Sequence, residues 1–400
     1  MGEQLKKIKK IELADFRDLF MLLLSMVPAL ILRAFKKDIW LMCERYDSAQ
    51  DNGWIFYQWV KKHHPEQQVY FVLNKKGMAD KEAACGPDRH IVRWASFRHF
   101  IIYLASSKLI KTMFTTPRPC MRVCDYYERL FGSRPLVYLK HGIGTSGVEH
   151  HCYSVQHARL YVCGAKPEYD YISTHAGYPA GYVQYTGLAR FDDLWEHRRD
   201  DRFVLIMPTW RRYVVDIKNT QRQNEEAFLN SAFYSHFHSL LNNKELIDFI
   251  VNAGYKIKFC IHAEFRRVEH LLRDVDPRIE MVDESENIHD LLMTTSLLIT
   301  DYSSVLFDVG YMQKPMVFYQ FDFVEFRAKH ISEGYFSYRR DGMGPVVETQ
   351  EELLETLKQF YDGEKFVNSD YYVQRCNRFF PTHDSHNCER IYNAIMAIND

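Results

Sequence analysis

The sequence predicts an α/β protein of two domains, each a parallel sheet covered by helices, preceded by an apolar helical segment with basic flanks. Three observations carry this. The 400 residues exceed the usual size of one domain, so two units of roughly 150–200 residues are expected. Short apolar runs alternate with helical stretches along most of the chain, the mark of βαβ units and parallel sheets. A charged and polar stretch from Leu194 to Asp201 splits the runs into two series and puts the domain junction there.

In chain order, the first element is the run Leu19 to Leu32, apolar for about fourteen positions and short of the ~20 that span a bilayer. Lys6, Lys7, Lys9 and Lys10 precede it, and Arg33, Lys36 and Lys37 follow it. Within a unit 1–37, this pattern suits an amphipathic helix lying in an anionic inner leaflet, with its basic flanks on the headgroups. A buried helix at a domain edge fits the same composition. A secretory signal fits less well, because Glu12, Asp15 and Asp18 interrupt the basic leader and no small-residue cleavage pattern follows. The first domain, 38–195, reads as strands at 38–43, 69–73, 108–112, 136–139 and 160–163, with helices near 52–62 and 96–106. The second, 202–382, reads as strands at 203–207, 256–261, 279–282, 296–300 and 315–318. A last helix, 389–398 in a terminal unit 383–400, is expected to pack back on the first domain. No internal repeat appears.

Charge and cysteine usage narrow the function classes. With 51 Lys+Arg against 52 Asp+Glu, the chain lacks the broad basic field of a nucleic-acid binder, so no nucleic-acid partner is expected and any anion site must be local. Nine cysteines without a repeated spacing argue against a disulfide framework and fit a reducing cytosol. Cys120-x3-Cys124 and His150-His151-Cys152 each lack a second pair at zinc-like spacing, so no metal is expected.

The sharpest motif runs from Leu297 to Gly310, where an apolar strand leads into Asp301 and then Ser303 and Ser304 open a helix. Ligands of open α/β sheets bind at such an edge, and N–H groups of a first helical turn suit a phosphate. The same residues also serve as helix caps, and taken alone the motif fits either use. In Leu136 to Gly147, His141 follows a strand, and the glycines around it let the backbone approach a ligand closely. Histidine can take a proton from an attacking hydroxyl near neutral pH; a structural turn with an incidental histidine is the alternative. Pro208-Thr-Trp-Arg-Arg212 puts Arg211 or Arg212 at the edge of the second sheet, where paired N–H donors bind phosphate; a solvated surface pair is the alternative. His262 follows the 256–261 run and occupies an equivalent position, suited to donate to a phosphoryl oxygen. Facing domains would bring all of these to one cleft.

Taken together and in order, Asp51-Asn-Gly53, His141-Gly142, Pro208-Thr-Trp-Arg211, His262, Asp301-Tyr-Ser-Ser304, Phe307-Asp308, Lys314-Pro315, Phe321-Asp322 and Gly344-Pro345 resemble the CDP-glycerol glycerophosphotransferase family. That family builds teichoic acids and related capsule polymers. The resemblance implies a GT-B architecture of two Rossmann-like domains facing across a cleft, with the nucleotide mainly on the C-terminal one. It implies metal-independent, cofactor-free transfer of glycerol phosphate from CDP-glycerol to a lipid-linked glycan acceptor, by a peripheral enzyme at the cytoplasmic face of the bacterial membrane. His141 matches the base, His262 the second histidine, and Asp301, Ser303 and Ser304 the donor-phosphate turn. Gly142, Arg211 and Asp308 are the further expected substrate contacts. The chain departs from the family at Leu139-Lys-His-Gly-Ile-Gly-Thr145, where members commonly read Trp-His-Gly-Thr-Pro-Leu-Lys, and at Glu333, where an arginine is usual. A CDP-ribitol donor, a nucleotide-sugar donor and a catalytically silent membrane scaffold are the alternatives; a homo-oligomer stays open.

Overall fold

The computed structural model describes residues 12–398, apart from 114, 146, 217, 273 and 331–333. The first sheet holds β1 (Ile39–Cys43), β2 (Gln68–Leu73), β3 (Ile91–Arg93), β4 (Lys108–Lys111), β5 (Leu136–Tyr138), β6 (Leu160–Cys163) and β7 (Val183–Tyr185), in the order β3-β2-β1-β4-β5-β6-β7. The second holds β8 (Phe203–Ile206), β9 (Lys256–Phe259), β10 (Ile279–Met281), β11 (Leu297–Thr300), β12 (Met316–Tyr319) and β13 (Val346–Val347), in the order β10-β9-β8-β11-β12-β13. All pairings are parallel. This is the α/β class expected from the sequence. In each sheet the strand order reverses beside the first strand, which opens a crevice at the carboxyl ends of β1 and β4 and of β8 and β11.

Central strands are apolar on both faces because helices cover both. Every residue of Ile39–Cys43 is buried, as are all four of Leu297–Thr300. The three strands missing from the sequence reading, β3, β7 and β13, are two or three residues long and lie at sheet edges. An edge strand has one neighbour and a half-covered face, so its apolar run is short or broken, and of the edge strands only β10 was legible.

The two lobes share a continuous core on one side. Phe191 stacks on Tyr311 at 4.3 Å and 16°, with Phe380 edge-on to both. The last helix, Asn387–Met396, lies on the first lobe, where Tyr392 stacks on His64 at 3.7 Å. The backbone N–H groups of Asn387 and Cys388 donate to Asp192 at 2.7 and 2.8 Å, which anchors the start of this helix.

The N-terminal helix is longer than the apolar run suggested: it spans Leu13–Phe35, 23 residues, long and apolar enough to cross a membrane by length and composition. The reading as too short to span is corrected on that point, because Leu13 and Phe16 extend the apolar surface past Asp15 and Asp18. Asp15 pairs with Arg122. Leu22, Ser25 and Ala29 are buried, with the helix packed on helices Phe97–Ala105 and Arg122–Phe131. Phe16, Phe20, Leu24, Val27, Leu30 and Ile31 stay more than half exposed. The buried-helix reading therefore describes one face only. Lys6, Lys7, Lys9 and Lys10 lie outside the described residues, as does Glu333.

Candidate active site

His141 is turned outward by the chain on either side of it. After β5 the backbone at Lys140 adopts a left-handed conformation with φ 62°, which a non-glycine residue takes only when its surroundings hold it there. The Lys140 ammonium is buried on Glu168, and the same carboxylate accepts the N–H groups of Gly144 and Gly164 at 3.0 and 2.9 Å. Asn52, at the start of helix Asn52–His63, donates to the carbonyls of Lys140 at 3.0 Å and His141 at 3.3 Å. Its side-chain oxygen accepts the N–H of Arg190 at 3.0 Å. The loop is thus fastened from three elements, and the His141 side chain remains 60% exposed.

Asp51 sits directly against this ring. His141 Nδ1 donates to Asp51 Oδ2, and Arg190 Nη1 donates to Asp51 Oδ1 at 2.9 Å. Burial works to raise the Asp51 carboxyl, but the Arg190 charge and the His141 hydrogen bond outweigh it and hold it down at about 2. An ionised carboxylate only accepts, so Nδ1 carries the proton and the lone pair of the neutral ring is on Nε2. That is the arrangement of an oriented general base.

Arg190 then reaches across to the second lobe, where Nε and Nη2 both bond Asp308, the latter at 3.1 Å. Asp308 was expected to contact substrate; instead both of its oxygens are taken by Arg190, and it ties the lobes together. A second tie runs from His289 Nε2 to Asp193 at 2.6 Å. The cleft beside these ties has a volume of about 400 Å³ and brings together Asp51, His141, Gly142 and Arg190 from one lobe with Ser304 and Asp308 from the other. Glu284, Glu286 and Asn287 add acceptors for hydroxyl groups along one wall.

Arg211 and Asp301 also differ from expectation, since both side chains are fully buried. Arg211 Nη1 lies 2.9 Å from Asp301 Oδ2, while Nε and Nη2 donate to Asp322 at 2.7 and 3.0 Å. Asp301 Oδ1 accepts the N–H groups of Thr209 and Tyr302 at 2.8 and 2.5 Å. Three loops, those after β8, β11 and β12, are thereby locked together at the reversal point of the second sheet. With both side chains buried in this lock, neither is exposed to the cleft. Ser304 is exposed and Ser303 half-buried in the turn ahead of helix Leu306–Tyr311, and Ser303 Oγ accepts the Val305 N–H at 3.4 Å.

Trp210 is held up by this lock, with His262 stacked near it at 6.0 Å and His330 edge-on at 5.1 Å. His262 Nδ1 accepts the Glu264 N–H at 3.2 Å, and His330 Nδ1 accepts the Arg212 N–H at 3.0 Å. Both rings therefore carry their proton on Nε2 when neutral. Burial keeps them neutral: it lowers His262 and, with the nearby Arg212 charge, pushes His330 down to about 4. His262, Arg211, Asp301 and Ser303 do not line the cleft that holds His141.

Asp51, Arg190 and His330 were given no role by sequence reasoning. Asp51 belongs to the Asp51-Asn-Gly53 motif, to which the sequence attaches no chemistry. Arg190 and His330 carry no local signal, the first following an edge strand and the second ending helix Phe323–Lys329. Among the described residues no group of three or more His, Cys, Asp or Glu is arranged to hold a metal ion.

A model of the CDP-Glycerol:Poly(glycerophosphate) glycerophosphotransferase family matches residues 25–397. The minor teichoic acid biosynthesis protein GgaB of Bacillus subtilis (strain 168) is 28% identical over 375 residues, 91% of this chain and 40% of that protein. The teichoic acid glycerol-phosphate transferase of Staphylococcus aureus (strain NCTC 8325 / PS 47) is 37% identical over 162 residues, 40% of this chain and 36% of that protein. The chain thus spans well under two thirds of these relatives' length. A solved structure of the wall teichoic acid polymerase TagF superposes with a TM-score of 0.61 at 13% identity, covering 96% of this chain and 98% of that one, a likeness of fold.

Proposed function

From the premise that this chain belongs to the CDP-glycerol:poly(glycerophosphate) glycerophosphotransferase family, we propose that it transfers glycerol phosphate from CDP-glycerol to a hydroxyl of a lipid-linked teichoic acid or capsule precursor. The observation that carries the reading is the Asp51–His141 pair in the cleft, with no partner to Nε2 among the described residues and Ser304 on the facing wall. His141 Nε2 takes the acceptor's hydroxyl proton as that oxygen attacks the phosphorus bearing glycerol. The bond from phosphorus to the CMP oxygen breaks in line, and CMP leaves with the electron pair.

Catalysis of this type rests on positioning and on meeting negative charge. The Ser303–Ser304 turn offers hydroxyl and backbone donors, and His262 and His330 offer Nε2–H groups beside Trp210, whose ring suits stacking with cytosine. Arg211 and Asp301 act one layer behind, holding that turn and Trp210 in place. The helix Leu13–Phe35 lies on the cytoplasmic leaflet through its exposed apolar face and keeps the enzyme beside its acceptor.

The test is CMP release from CDP-glycerol with a lipid-linked acceptor, against CDP-ribitol and UDP-sugar controls. His141→Ala is expected to lower CMP release by roughly 10²–10⁴-fold while donor binding persists. Full activity in that variant, or turnover only of a nucleotide sugar, sinks the reading.

A further inference from the structure

Two cavities outside the cleft adjoin each other on the first lobe. One is an apolar groove of about 480 Å³ between helices Leu13–Phe35 and Arg122–Phe131, walled by Phe16, Leu19, Leu23 and Met26 on one side and Tyr126 and Leu130 on the other. It opens on the same surface as the exposed residues Met121, Leu130 and Phe131, which are 54%, 77% and 67% accessible. The other is a polar pocket of about 520 Å³ that shares Tyr127 and Phe131 with the groove.

The polar pocket is cationic. Arg33, Arg134, Arg159 and His157 line it with the hydroxyls of Ser107 and Ser133, and no Asp or Glu is among its lining residues. Arg134 Nη1 is buried without a hydrogen-bond partner, and Arg33 and Arg159 make no ion pair among the described residues; the Arg159 guanidinium lies over the Tyr182 ring at 4.2 Å. Three arginines without a carboxylate hold an unbalanced positive charge, which an anion entering the pocket would neutralise.

Position decides between a substrate site and an anchoring site. Ser107 precedes β4, Pro135 precedes β5, Arg159 precedes β6 and Tyr182 precedes β7, so the pocket lies at the amino ends of these strands. His141 follows the carboxyl end of β5, at the opposite edge of the sheet. A lipid seated here does not present its head group to the base.

We infer that the groove and pocket together hold one anionic phospholipid of the bilayer, with an acyl chain along the groove and its phosphate among Arg33, Arg134 and Arg159. The site rests on the reading that helix Leu13–Phe35 lies on a membrane, and adds to it a defined lipid and a preference for negative head groups. It gives the enzyme a fixed orientation, with the amino edge of the first sheet toward the leaflet.

The experiment uses neutral phosphatidylcholine vesicles doped with either phosphatidylglycerol or phosphatidylcholine carrying a photoreactive diazirine in the acyl chain. Labelled peptides are then mapped by mass spectrometry. Phosphatidylglycerol is expected to label the stretches 16–26 and 121–131 of the wild type more than phosphatidylcholine does. R33S/R159S is expected to cut that labelling about tenfold or more while still floating with vesicles, and R33K/R159K to restore much of it. Equal labelling by the two lipids, or no loss in R33S/R159S, overturns the site and leaves the membrane contact standing. Wild-type protein that does not float with any vesicle overturns both. If R33S/R159S fails to fold, the wild-type comparison of the two lipids decides alone.

Discussion

His141 gains its direction from Asp51, and that dependence can be measured apart from binding. Asp51→Asn keeps the size of the side chain but lets it donate, so the Nδ1 tautomer is no longer enforced. The expected result is a fall in kcat of at least about tenfold with little change in KM for CDP-glycerol; an equal loss in KM points to a structural role instead. Arg211 gives the opposite pattern. Arg211→Met leaves Asp301 and Asp322 buried without their cation, with an expected destabilisation of about 3–5 kcal/mol in urea unfolding. A variant as stable as the wild type but unable to bind donor would return Arg211 to the ligand. His141 was legible in the sequence because it follows a strand and is followed by glycines. Arg211 and Asp301 were legible as a pair of edge positions, while their burial was not: burial comes from Asp322, more than a hundred residues away from Arg211 in the chain.

At the level of elements, the central strands were readable because two-sided burial writes continuous apolar runs, and β3, β7 and β13 were not because a short edge strand with a half-covered face seldom leaves one, β10 being the exception. The loop before β13 illustrates what a glycine can be kept for. A Cβ on Gly344 would sit 2.0 Å from the Met316 carbonyl oxygen, a backbone atom that cannot swing aside. Gly344→Ala is expected to cost roughly 2–3 kcal/mol, read as a lower unfolding midpoint; an unchanged midpoint means the loop has room to move. Helix Leu13–Phe35 carries its information on its outer face. Replacing Leu24, Val27 and Leu30 together by Glu should abolish vesicle flotation while leaving CMP release with a soluble acceptor within about twofold. Loss of both would place the helix in the fold's stability and not at a membrane.

Across the whole molecule, Arg190 is one of the ties between the lobes and the one that also holds Asp51. Arg190→Met leaves Asp51 and Asp308 without their shared cation and removes the link between them, so activity and cooperativity of unfolding are both expected to fall. Acid sensitivity is distributed more widely. Burial pushes His99, His151 and His330 each down to about 4 from an ordinary 6.5. Between those values the unfolded chain binds protons that the folded chain does not, so stability is whole above about pH 6.5 and declines as pH falls toward 4. For fully buried His99 this amounts to about 2 kcal/mol between pH 7 and pH 5. Chemical denaturation at the two pH values should show a smaller decline in His99→Gln; an identical decline assigns the loss to other groups. The sequence by itself determined the α/β class, the two series of parallel strands, the family and the strand-end positions of the candidate residues, because these follow from local periodicity and ordered motifs. Only the tertiary structure decided which of those residues face the cleft. Exposure depends on partners such as Asp322, Arg190 and Glu168, which come from distant loops and leave no mark on the neighbouring sequence.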